Sequence, residues 1–213
     1  MKLTDACVCP YPAGDSSIRR MALEARELGF DSLVAMDTPP GECHGVTVYR
    51  GVIVKATVAN EAIALAKRAG REGAVVFVQA QDNAFNRSVL GAKGIHILSG
   101  LHAADRHAFD HVAAKIAGDN GVALDISLEP LLRQRGVSRQ KALNRYLDIV
   151  MLARKFAIPL VLSTHARSVL EMRTVREISG TAALTGLTTE ESGQALGTIC
   201  RLLQPEEPVR EVP

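Results

Sequence analysis

The chain has 213 residues, 47% of them hydrophobic, and its 25 lysines and arginines against 23 aspartates and glutamates give a formal net charge of +2. That is enough for one well-buried domain and too little for two. No apolar run reaches the roughly 20 residues of a membrane-spanning helix, the opening Met-Lys-Leu-Thr-Asp is no signal peptide, and four scattered cysteines make no disulfide framework, so a soluble cytoplasmic protein with reduced thiols is expected.

In chain order, short apolar runs at residues 3–9, 32–36, 46–55, 74–79, 94–98, 122–127 and 160–163 read as seven strands. Between them, Ala62/Leu65/Ala66/Ala69 and Phe109/Val112/Ala113/Ile116 recur at helical spacing, so each helix offers one apolar stripe to a sheet. Asn60 stands where it can cap the helix it precedes, Asp110 stands at a helix start where its carboxylate meets unpaired backbone amides, Thr188 and Glu191 have capping-box spacing, and Gly29 and Gly121 sit where helices should stop. Strands alternating with helices imply a parallel sheet. We expect an α/β fold, a TIM-like (β/α) barrel of about seven parallel strands over residues 1–203, followed by an acidic, proline-rich and disordered tail at 204–213. An open doubly wound sheet also fits these facts.

Charge is uneven along the chain: −1 over residues 1–82, +7 over 83–176 and −4 over 177–213. The basic middle suits an anionic partner such as RNA, and residues 130–147, with Arg133, Arg135, Arg139, Lys141 and Arg145, contain no acid at all. An aromatic content of 4% and the lack of tryptophan argue against base stacking as the main mode of contact. No Gly-x-Gly-x-x-Gly follows the first strand, and neither a phosphate-loop motif nor a Gly-x-Ser-x-Gly elbow is present.

In a parallel barrel, chemistry gathers at the C-terminal ends of the strands. That places Cys7, Cys9, Asp37, Lys55, Gln79, Gln81, Ser99, His102, Ser127, Glu129, Thr164 and His165 around one mouth. Cys7 and Cys9, two apart on a strand, could offer zinc two thiolates, with His165 or the Cys43-His44 pair completing the set. Yet no paired Cys-x-x-Cys spacing is present, and two small thiols at a strand end are more often packing residues. His96, inside an apolar run, reads as a hydrogen-bonded core residue.

The stretch Phe109-Asp110-His111-Val112 to Lys115, the segment Leu128-Glu129-Pro130-Leu131-Leu132, Asn86-Arg87 at the opening of a helix, Leu152-Ala153-Arg154-Lys155-Phe156 and Arg173-Thr174-Val175-Arg176-Glu177 together resemble archaeal ribonuclease P protein component 3. The resemblance implies a non-catalytic subunit of the RNA-based endoribonuclease that removes 5′ leaders from precursor tRNA. Its partners would be the catalytic RNA, protein component 2 and, indirectly, precursor tRNA. The protein itself would carry no cofactor, and magnesium would enter with the RNA. Candidate RNA contacts are Arg87, Arg106, His111, Lys115, Arg133, Arg135, Lys155, Arg173 and Arg176. The barrel also resembles the polymerase and histidinol phosphatase superfamily, whose metal-binding members begin with His-x-His where this chain has Cys7-Val8-Cys9, and Lys55 stands where an acidic ligand would be expected. A metal-dependent phosphoesterase is therefore the alternative expectation. A barrel enzyme using Lys55 as phosphate anchor or Schiff-base amine is a third.

Overall fold

The computed structural model describes residues 2–203, so the expected tail at 204–213 lies outside the described residues. Seven parallel strands form the wall: β1 (Thr4–Val8), β2 (Ser32–Met36), β4 (Val46–Val54), β5 (Val75–Gln79), β6 (Ile97–Ser99), β7 (Ala123–Ser127) and β8 (Leu160–Ser163). They lie in the order β1-β2-β4-β5-β6-β7-β8. All seven stand where the apolar runs predict, and the wall closes as a barrel rather than an open sheet. The seam is short. Val8 bridges Ala166, the Cys9 amide donates to the Ala166 carbonyl at 2.8 Å, and the His165 amide donates to the Cys7 carbonyl at 2.9 Å.

One strand escapes the sequence reading. β3 (Gly41–Cys43) pairs antiparallel with the start of β4 through a two-residue turn, His44-Gly45, with both φ angles positive at 54° and 78°. That is the geometry of a hairpin turn. It puts Cys43 and His44 at the N-terminal end of the barrel, away from Cys7, Cys9 and His165, so the Cys43-His44 pair is no part of a shared metal site.

Among the described residues, eight α-helices surround the wall: α1 (Ile18–Glu27), α2 (Ala59–Arg71), α3 (Asn83–Leu90), α4 (His111–Asp119), α5 (Glu129–Arg133), α6 (Gly136–Phe156), α7 (Val175–Ala183) and α8 (Thr189–Leu202). Alanines carry much of the packing. Ala62, Ala66 and Ala69 of α2 and Ala113, Ala114 and Ala117 of α4 are buried, whereas Leu65 and Val112 of the expected stripes are 44% and 38% exposed. Small side chains let helices lie close to the strands, and the larger ones at the stripe edge stay outside. The predicted stops at Gly29 and Gly121 hold, with φ of 93° and 64° just past their helices. The Thr188–Glu191 capping box is formed, and Thr174 with Glu177 makes a second. Asn60 is not a cap: α2 starts one residue earlier, after Val58.

Inside the wall, Ala6, Val34, Met36, Val75, Phe77, Ile97, Ala123 and Val161 form a separate apolar plug, joined from α8 by Ile199. The helix thus seals the N-terminal end of the barrel. At the opposite end the same inward rows turn polar, with Asp125 and Ser127 on β7 and Ser163 on β8 all buried. The mouth is built there.

Candidate nucleic-acid interface and barrel mouth

The mouth holds a cavity of about 550 Å³ lined by Cys9, Asp37, Lys55, Gln79, Ser99, His102, Ser127, Glu129 and His165, together with Asp125 and Arg167. Nine of the twelve predicted positions therefore line it. Cys7 and Thr164 lie buried at its wall, and Gln81 is turned into a loop whose amide is bound by Asn86. Asp37 and His165 hold left-handed backbones with φ of 50° and 51°, a costly state for side chains with a Cβ.

Asp125 is the residue the sequence reading missed. It sits mid-strand in an apolar run, two residues from Ala123 and Ser127, and that period of two is the signal of an inward position. Its Oδ1 accepts from Ser163 Oγ at 2.5 Å, and its Oδ2 lies 3.0 Å from His165 Nε2. Burial alone would lower the His165 imidazole, but the hydrogen bond and charge of Asp125 override it and raise the pKa to about 9. His165 is thus an imidazolium that donates through Nδ1 to Cys7 Sγ, 3.4 Å away. Burial pushes the Cys7 thiol up, and the thiol–thiol hydrogen bond with Cys7 leads the causes that pull Cys9 down to about 7.

Cys7, Cys9 and His165 are neighbours, and both ring nitrogens of His165 are already engaged, Nε2 by Asp125 and Nδ1 by Cys7. Among the described residues no group of three His, Cys, Asp or Glu side chains is arranged to hold a metal ion. Lys55 is exposed at the rim, not desolvated as a Schiff-base amine would be. The mouth does not fit the metal chemistry of the phosphoesterase alternative.

His102 has a fixed tautomer. Tyr146 Oη donates its proton to the Ser127 carbonyl at 2.9 Å, so its contact with His102 Nδ1 at 3.0 Å needs the proton on that nitrogen. His96 Nδ1 accepts from the Val76 amide at 3.0 Å, the structural role expected of it.

The basic candidates surround the barrel. α3 packs on α4 and α4 on α6, which gathers Arg87, Arg106, His111, Lys115 and Lys155 on one wall. Asp110 caps α4 by accepting from the Val112 and Ala113 amides at 3.1 and 2.9 Å, and it also pairs with Arg87. Burial would raise the Asp110 carboxyl, but the Ala113 amide and Arg87 hold it down at about 2. Arg87 lies in the middle of α3, not at its opening; Asp82 caps that helix and Asn86 is buried, donating to the Ala108 carbonyl at 2.8 Å. Arg106 lies 3.6 Å from Asp148, His111 and Lys115 are exposed, and the Lys155 ammonium sits 5.4 Å from the Phe156 ring centre.

The other candidates lie elsewhere. Arg173 donates to the Leu170 and Met172 carbonyls, and the Val175 amide that opens α7 binds the Leu28 carbonyl, so Arg173 and Arg176 belong to the α1–α7 side. The stretch 130–147 is not the unpaired surface its composition implies. Arg133 pairs with Glu171 and lies 3.4 Å from Glu129, and Arg145 is buried. Pro130 stands in the first turn of α5, where its missing amide proton costs nothing, so the Pro-Leu-Leu segment forms a short helix. Arg135, Arg139 and Lys141 remain exposed, within a run, residues 132–141, that is exposed throughout.

A seven-stranded parallel barrel whose mouth is built round the buried Asp125–His165 pair, with Arg87, Arg106, His111, Lys115 and Lys155 on one outer wall, defines a TIM-like α/β barrel. The sequence matches the family described as RNase P subunit p30 over residues 2–207, and the chain belongs to that family. It is 31% identical over 209 residues to ribonuclease P protein component 3 of Methanosarcina acetivorans, covering 93% of this chain and 87% of the relative. It is 29% identical over 204 residues to the protein of the same name from Methanosarcina mazei, covering 92% and 85%. In fold it is similar to a chain in the cryo-EM structure of archaeal ribonuclease P with mature tRNA, with a TM-score of 0.79 at 17% identity over 93% of this chain and 89% of that one. A histidinol phosphate phosphatase from Lactococcus lactis, in complex with zinc, L-histidinol and phosphate, is a more distant fold relative, with a TM-score of 0.57 at 11% identity over 90% and 94%.

Proposed function

We propose that this chain is the RNA-binding, non-catalytic protein subunit of ribonuclease P, supporting the catalytic RNA that removes 5′ leaders from precursor tRNA. The observation that carries the reading is family membership over residues 2–207, nearly the whole chain. Arg87, Arg106, His111, Lys115 and Lys155 would meet RNA phosphates on the α3–α4–α6 wall, with Arg135 beside them and Arg133, Arg173 and Arg176 as separate contacts. Such contacts release counterions and give an affinity that falls steeply with salt. Protein component 2 is the expected protein partner, precursor tRNA is met through the particle, and magnesium is held by the RNA.

The test is cleavage of precursor tRNA by the reconstituted particle with this chain present or omitted, beside the chain alone. Loss of 5′ cleavage on omission, with no activity from the chain alone, is expected. Full cleavage without it overturns the reading.

A further inference from the structure

Beside the mouth, between the loop after β6 and the α6 helix, lies a second cleft of about 610 Å³ walled by His102, Arg106, Lys141, Asn144, Arg145 and Asp148. Its size falls within the roughly 300–1,000 Å³ range of ligand clefts. Arg145 sets it apart. The α6 periodicity places this arginine on the inward face with Ala142, Tyr146 and Ile149, and its exposure is only 7%. Its Nε donates to the Leu101 carbonyl at 3.3 Å, while its Nη2 is buried without any partner. A buried guanidinium with an unmet donor is costly, and folded proteins leave few such groups.

The nearest acid acts on it only through its charge, without a direct contact. Asp148 lies 3.6 Å from Arg106, and no ion pair joins it to Arg145 among the described residues. Three cations, Arg106, Lys141 and Arg145, thus share the cleft with one carboxylate. Burial disfavours the Arg145 cation most; the charges of Asp148 and Asp105 favour it and that of Arg106 opposes it, and an entering anion would offset the cost of burial.

We infer that this cleft binds a phosphate group of the RNA backbone, with Arg145 as its buried anchor and Lys141 and Asn144 at the rim. The inference rests on the reading of the chain as an RNA-binding subunit. A planar fork of donors matches phosphate oxygens, and a partly desolvated guanidinium holds them more firmly than a solvated surface cation does. RNA is favoured over a free anion because the cleft wall includes Lys141, the last residue of the exposed stretch 132–141, which also carries the exposed Arg135 and Arg139.

The experiment measures binding of ribonuclease P RNA by the full chain across a salt series, for the wild type and for Lys141→Ala, Asn144→Ala, Arg145→Gln and Arg87→Glu. In parallel, the Arg145 guanidinium resonance is followed by NMR while inorganic phosphate is added. Lys141→Ala should weaken RNA binding about fivefold at 0.15 M salt and lower the salt slope by about one, as loss of one phosphate contact requires. Asn144→Ala should weaken binding with an unchanged slope, and the Arg145 resonance should shift with phosphate. Because Arg145→Gln can disturb the helix, the exposed Lys141 and Asn144 variants decide the matter. If both bind RNA like the wild type while Arg87→Glu binds less, the cleft proposal falls and the subunit reading stands. The same wild-type-like binding with a phosphate-shifted Arg145 assigns the cleft to a free anion and likewise overturns it. A wild type that binds no RNA overturns the subunit reading and this proposal together.

Discussion

Cys9 shares the mouth with a thiol neighbour and two cations, and its chemistry follows. The hydrogen bond with Cys7 and the charges of His165 and Arg167 pull its thiol to about 7 against the effect of burial. A thiolate is the reactive form of cysteine, so Cys9 should be alkylated by iodoacetamide at a rate rising to half-maximum near pH 7. Cys7, whose thiol burial pushes up, should stay unmodified in the folded protein. His165→Asn removes one cation and should move the Cys9 midpoint back toward the ordinary value near 9. Mass spectrometry of quenched samples reads both sites, and equal labelling of Cys7 and Cys9 would sink this account. The Cys-x-Cys spacing was visible as a pair at a strand end. Whether the pair would meet metal or imidazolium depended on Asp125, nearly 120 residues away in sequence.

Between elements, the closest approach that matters is that of α4 and α6. A Cβ at Gly118 would overlap the Phe156 carbonyl oxygen at the end of α6. Alanine normally improves a helix interior by about 1 kcal/mol over glycine. Here the obstacle is backbone, which cannot swing aside, so overpacking prevails. Gly118→Ala should destabilise the protein by about 1–3 kcal/mol, read as a lower urea midpoint at unchanged m-value. A higher midpoint would mean that the two helices can part freely. The sequence marks helices by period and caps, which is why α4 with Asp110 at its start and α8 with Thr188 were legible. It does not mark which glycine is needed for contact, because Gly118 inside a helix looks no different from the unconstrained Gly180 of α7.

Across the whole molecule, the barrel closes where β1 meets the segment just after β8 through a single bridge, Val8 to Ala166, and two buried titratable groups clasp that seam. Asp5 Oδ2 accepts from Thr164 Oγ1 at 2.5 Å, and its Oδ1 accepts from the Thr164 amide at 3.0 Å. Burial raises its pKa from 3.8 to about 6. The protonated form therefore belongs to the fold, and its stabilisation is full below pH 4 and lost as pH rises through 6, about 3 kcal/mol at most. His165, raised from 6.5 to about 9, contributes stability that is full below pH 6.5 and lost as pH rises through 9. Asp110 and Glu191, held at about 2, act in the opposite sense but below pH 4. Cys9, drawn from 9 down to about 7, acts against His165 by adding stability as pH rises from 7 to 9, so the assignments are read by comparing variants with the wild type. Urea midpoints of Asp5→Asn should lack the loss the wild type shows between pH 4 and 6, those of His165→Asn should lack the His165 loss between pH 6.5 and 9, and variants whose pH profiles run parallel to the wild type would contradict both assignments. From sequence alone came the seven wall strands, most of the mouth positions and the Asp110 and Thr188 caps, because each is written in local period or in a side chain next to the backbone it binds. Only the tertiary structure decided that the wall closes, that His165 is paired with Asp125, and that Arg133 and Arg145 are not free surface cations. Ion pairing, burial and ring closure depend on which distant residues share a few ångströms, and a charge counted along the chain carries no record of the partner that folding will bring to it.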